Sequence, residues 1–158
     1  MIPNIPVVEL KFGGETYSVN YREELRCSEE TINENLKDQP SFFAYYAVLA
    51  ELADEALAET KLALEVTESV LDAKVREELT RAGTKATETM IRGKIVLDES
   101  YLAAVSQVNT LKKNVGVLKA IREAFSHRKD MLVTLASNMR AQQDPEIFIK
   151  KQEFRDKR

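Results

Sequence analysis

Residues 42–79 read FFAYYAVLAELADEALAETKLALEVTESVLDAKVREEL, 38 positions without a glycine or a proline. Ala, Leu, Glu and Lys are strong helix formers, and only Gly and Pro break a helix outright, so the stretch predicts one long helix. At 1.5 Å per residue it would extend roughly 57 Å. Leu49, Ala56, Ala63 and Val70 recur every seven residues, with Leu57, Leu64 and Leu71 in a second row beside them. Glu51, Glu55, Glu59, Glu65 and Glu68 fall mostly off these rows. That is the pattern of a coiled-coil helix with one apolar seam.

Outward from this helix, Pro40 and Ser41 predict its start, with Ser41 as N-cap. Gly83 predicts its end. Residues 80–97, TRAGTKATETMIRGKIVL, interrupt the pattern. Thr84 or Thr87 would cap a short connector helix that Gly93 weakens. Asp98 suits the N-cap of a second long helix, with Glu99 in its first turn. From there to Arg140 there is no proline and one glycine, Gly116, a candidate for close helix crossing. Ala104, Leu111, Leu118, Phe125, Leu132 and Met139 keep the seven-residue spacing.

Ahead of the helices, Val8, Leu10 and Phe12 alternate with polar neighbours, as do Tyr17 and Val19. Gly13-Gly14 between the two runs predicts a β-hairpin with a two-residue turn. A lone hairpin is marginal in water, so this one must pack on a helix or on a neighbouring chain. Ser28-Glu29-Glu30-Thr31 could cap a short turn of helix through Leu36. The expected fold is mainly α, an antiparallel hairpin of two long helices with a connector helix and a small amino-terminal β-hairpin, and it is expected to be oligomeric. The expected segments are 1–40 (β-hairpin and acidic linker), 41–142 (helical core) and 143–158 (basic tail).

Charge is unevenly divided. Residues 1–73 hold five Lys/Arg against fifteen Asp/Glu, a net of −10, whereas residues 74–158 hold eighteen against eleven, a net of +7. The total of −3 hides this dipolar character. A phosphate backbone responds to a local basic patch rather than to the total. Two groupings stand out. Lys74, Arg76, Arg81, Lys85, Arg92 and Lys94 cluster at and beyond the end of the first long helix, as a phosphate-binding surface or as ordinary cations near a helix C-terminus. Lys112, Lys113, Lys119, Arg122, Arg128 and Lys129 lie on the last helix, where pairing with the acidic first helix would consume them. Tyr101 is the one ring close in sequence to the first cluster, so binding there would be mainly electrostatic.

Catalytic chemistry has no foothold in the pattern. The one histidine, His127, lies in a charged helical run and reads as a surface residue, and no glycine-rich phosphate loop is present. No His/Glu spacing suggests a metal site, and one cysteine, Cys27, allows neither an internal disulfide nor a thiolate metal cage. An enzyme is not expected, nor is any cofactor. The amino terminus lacks a basic region, and no run approaches the length of a membrane span, so a soluble, cytoplasmic protein without membrane contact is expected.

The order of these features has a counterpart. NENLKDQPSFFAYYAVLA (residues 33–50), the Ala/Glu/Leu helix through Leu79, the basic connector and LKKNVGVLKAIREAFSHRKDMLVTLASNMR resemble the phage UvsY-like recombination mediators over roughly residues 33–142. The resemblance implies a helical homo-oligomer that binds single-stranded DNA and helps a RecA-like recombinase load onto DNA coated by single-strand-binding protein. For a phage-encoded chain, the compartment would be the bacterial host cytoplasm. It places the DNA-contacting pair at Lys74 and Arg76. The other cations, Arg81, Lys85, Arg92 and Lys94, are proposed from local charge. It also implies self-assembly through Leu118, Phe125, Leu132 and Met139. A coiled-coil scaffolding or assembly protein without DNA binding is the alternative.

Overall fold

The computed structural model describes residues 7–143. Two short strands, β1 (Val8–Phe12) and β2 (Glu15–Val19), precede a single-turn helix α1 (Tyr21–Glu24), then α2 (Ile32–Arg81), α3 (Glu88–Val96) and α4 (Glu99–Gln143). The fold is mainly helical, with two long packed helices and one two-stranded antiparallel sheet. The expected tail lies, from residue 144 onward, outside the described residues.

Local chemistry explains most element ends. Gly13 and Gly14 have φ of 59° and 79°, both positive as a type I′ hairpin turn requires. The carboxy-terminal end of α2 is a Schellman cap. Gly83 sits at φ 66°, Thr84 N–H donates to the Leu79 carbonyl at 3.0 Å, and Gly83 N–H donates to that of Thr80 at 3.0 Å. Thr87 caps α3, its hydroxyl accepting from Met90 N–H at 3.4 Å. Asp98 caps α4, accepting from Ser100 N–H at 2.9 Å and from the Ser100 hydroxyl.

The start of the first long helix differs from expectation. It begins at Ile32, not Ser41, and runs through Pro40. The Ser28–Thr31 start signal is used, with Thr31 Oγ1 accepting from Asn35 Nδ2 at 2.8 Å and bonded to Ser28 Oγ at 2.7 Å. The helix does not stop at Leu36. A proline inside a helix removes a donor and crowds the carbonyl four residues back, at about 3 kcal/mol, so locally Pro40 reads as a boundary. Long-range contacts on either side of it override that preference. Gln39 Nε2 donates to the Phe125 carbonyl at 2.5 Å, and Phe42 stacks on the Phe125 ring at 5.5 Å. Pro40 itself faces solvent.

The chain divides into two compact units, each with its own packing. The first comprises Ser18–Val48 with α4 from Leu118 onward. Its centre is an aromatic stack, Phe42 and Tyr46 on Phe125, with Leu118 and Leu132 fully buried. Contacts pair Asn35 with Arg128 and Tyr46 with Phe125, so the two helices run antiparallel here.

Arg128 is 3% exposed. Its guanidinium donates to Gln39 Oε1 at 2.5 Å, Asn35 Oδ1 at 2.8 Å and the Arg26 carbonyl at 3.4 Å, and it lies 5.9 Å from the Phe125 ring centre. A surface cation pairing with carboxylates was the expectation. The structure instead holds it inside, on neutral acceptors, because charge–dipole bonds and a ring face replace part of its lost hydration.

The second unit comprises Glu9–Tyr17 and Leu49–Val117. Leu10 and Phe12 are buried, Phe12 stacks on Tyr17 at 4.5 Å, and buried Asn114 on α4 donates to the Lys11 carbonyl at 2.9 Å. The hairpin therefore packs on a helix of the same chain. On α2, Leu57 and Leu71 are buried, but along the other expected row burial fades from Leu49 to Val70, which is 61% exposed. An α-helix of 3.6 residues per turn drifts by about 20° per seven residues, so a strict heptad row rotates off the seam unless the helices supercoil. Val75 and Leu79 pack with Ile91 of α3. Gly116 is exposed and a Cβ there would meet nothing within 4 Å, so no close crossing explains it.

Candidate nucleic-acid interface

The six cations expected to bind DNA lie on the last turns of α2 (Lys74, Arg76 and Arg81) and on the connector that follows it (Lys85, Arg92 and Lys94). The caps at Gly83, Thr87 and Asp98 fix its turns, and the Val75–Leu79–Ile91 cluster holds α3 on α2. Each of Lys74, Arg76, Arg81, Lys85, Arg92 and Lys94 is exposed.

Their partners separate them into two groups. Arg76 Nε meets Asp72 Oδ2 at 2.6 Å, and its Nη2 meets Glu88 Oε1 at 2.7 Å. These carboxylates, Asp72 first, raise the Arg76 pKa further above its already high value. Arg81 pairs with Glu77, and Lys94 Nζ lies 3.6 Å from Glu78 Oε2. Lys74 is near enough to Asp98 to help hold that carboxyl below its usual range, after the larger effects of the Ser100 hydroxyl and N–H. Lys85 and Arg92 have no ion pair among the described residues.

Between residues 72 and 99 the six cations face six carboxylates, Asp72, Glu77, Glu78, Glu88, Asp98 and Glu99. The connector is thus a mixed-charge surface rather than a uniformly basic one. The half-by-half sum missed this because five of these six acids fall in the second half, whose larger number of cations hides them. The pairs are solvent-exposed, however. An exposed pair is worth only about 0–1 kcal/mol, so exchanging a carboxylate for a phosphate costs little. Arg92 also lines a surface hollow with Tyr101, Ser69, Glu68 and Asp72. The ring nearest in sequence is therefore also near in space.

The expected self-assembly row is placed differently. Leu118, Phe125 and Leu132 are fully buried within the single chain, and Met139 is half-buried. These side chains fill the core of the first unit, where α2 covers them. Of the second basic grouping, Lys112 and Lys113 are exposed, and Lys129 lies 3.3 Å from its neighbour Asp130. His127 is exposed with Nε2 3.9 Å from Glu123 Oε1. Among the described residues no group of three or more His, Cys, Asp or Glu side chains is arranged to hold a metal ion, and no helix is long and apolar enough to cross a membrane. Comparison with known proteins returns no match to a family model, a curated protein or a solved structure.

Proposed function

We propose that this chain is a non-enzymatic recombination mediator that binds single-stranded DNA without sequence preference. It would act as a homo-oligomer on DNA coated by single-strand-binding protein and help a RecA-like recombinase to load. The observation that carries the reading is the capped connector, where exposed Lys85 and Arg92 are free of ion pairs among the described residues. Arg76, Arg81 and Lys94 stand beside them in exposed, exchangeable pairs.

A second reading, a helical scaffolding protein without DNA binding, is favoured by the equal count of cations and carboxylates over residues 72–99. The salt dependence of oligonucleotide binding separates the two. Each phosphate neutralised on a single strand contributes about −0.7 to the slope of log K against log salt, so Lys85 and Arg92 alone predict about −1.4 per protomer and all six cations about −4. Lys85→Ala with Arg92→Ala should flatten the slope. Undetectable binding at about 50 mM salt, or a slope indifferent to these changes, refutes the mediator reading and leaves the scaffold.

A further inference from the structure

The first unit carries a cleft that the DNA reading does not use. It has a volume of about 600 Å³ and is lined by Ser18, Val19, Glu24, Asp38, Ser41, Phe42, Tyr45 and Tyr46. That is within the usual size range of ligand sites. Its chemistry is of one kind. Three rings, Phe42, Tyr45 and Tyr46, form aromatic wall, and the two charged side chains are both carboxylates. No Lys or Arg is among the described lining residues.

The groups differ in how far they are committed. Tyr46 is buried and its hydroxyl donates to Glu24 Oε2 at 2.5 Å, which fixes Glu24 against the wall and occupies one of its two oxygens. Burial, then the Glu24 carboxylate, pushes the Tyr46 pKa upward, so the phenol keeps its proton. Asp38 is exposed, and no hydrogen bond or ion pair engages it among the described residues. Tyr45 is 52% exposed and meets Tyr46 edge to face at 5.2 Å. Tyr45 is thus in contact with a buried ring while about half open to solvent.

We propose that this cleft takes an arginine side chain from a basic segment of a partner protein. The guanidinium would donate to both oxygens of Asp38 and to the remaining oxygen of Glu24, while its plane lies against the Tyr45 ring. A guanidinium suits such a site better than an ammonium, because its planar fork matches a carboxylate and stacks on a ring. A polyanion is repelled by the same two carboxylates. The site is therefore independent of the DNA surface, whose residues belong to the other unit.

The full-length protein should be titrated by calorimetry with a soluble peptide carrying two arginines spaced by apolar residues. The same peptide with lysine or with glutamine in place of arginine serves as control. The arginine peptide should bind at low salt, the lysine peptide several-fold more weakly and the glutamine peptide at least about 10-fold more weakly. Asp38→Asn and Tyr45→Ala should each weaken arginine-peptide binding by about 10-fold with helix content unchanged, since both side chains are exposed. Equal affinity for the arginine and glutamine peptides, or affinity unaltered by both substitutions, overturns the proposal, as does no binding by any variant. Binding that emerges only in the full-length Lys150→Glu, Lys151→Glu variant also overturns it, and assigns the cleft to the chain's own basic tail instead.

Discussion

Removing the side-chain amide of Gln39 should expose how the first unit tolerates a buried cation. Gln39 donates to the Phe125 carbonyl and accepts from Arg128, both at 2.5 Å, and Arg128 is 3% exposed. A neutral hydrogen bond contributes about 1 kcal/mol and one to a charged group about 1.5–3, so Gln39→Leu should cost about 3 kcal/mol. Arg128→Met leaves Gln39 Oε1 and Asn35 Oδ1 without their donor and should cost about 2 kcal/mol. Making both changes removes the charge together with its acceptor, and such paired replacements are often close to neutral. The double variant should therefore cost less than the sum of the single ones by at least about 1.5 kcal/mol. Urea denaturation followed by far-ultraviolet circular dichroism, at fixed protomer concentration, measures all four corners of the cycle. Additivity to within about 0.5 kcal/mol would refute the reasoning, because it would mean that Arg128 is stabilised without Gln39.

Other outcomes follow from single residues. Gly83→Ala should destabilise by about 1–2 kcal/mol through its positive φ, whereas Gly116→Ala should stabilise by about 0.5–1 kcal/mol, so thermal midpoints should move in opposite directions. Asn114→Ala removes the bond to the Lys11 carbonyl, and amide exchange in the hairpin strands should quicken by about 10-fold. Asp98 is held below its ordinary value of 3.8 by the Ser100 hydroxyl and N–H. Its stabilising contribution is complete above that value and is lost as pH falls through the depressed one in the folded protein. A carboxyl titration by NMR at or above 3.8 counts against this cap, and Asp98→Asn should flatten the acid limb of the stability curve.

The amino-acid sequence by itself determined the elements whose causes are local. The paired glycines of the hairpin, the Gly83 stop, the Thr87 and Asp98 caps and the Leu57–Leu71 and Leu118–Leu132 rows are each visible within a few residues of where they act. Tertiary structure alone decided what depends on residues far apart in the chain. Pro40 stays helical because Gln39 and Phe42, on either side of it, are gripped by Phe125 more than eighty positions away. Arg128 is buried because Asn35 and Gln39 supply acceptors that no window around it contains. Glu88 reaches Arg76, and Glu78 reaches Lys94, only because α3 packs back on α2. Caps and turns are set by torsions and hydrogen bonds within a turn or two, which a linear reading can see. Desolvation and ion pairing depend on which groups meet in space, and that is settled only when the helices pack.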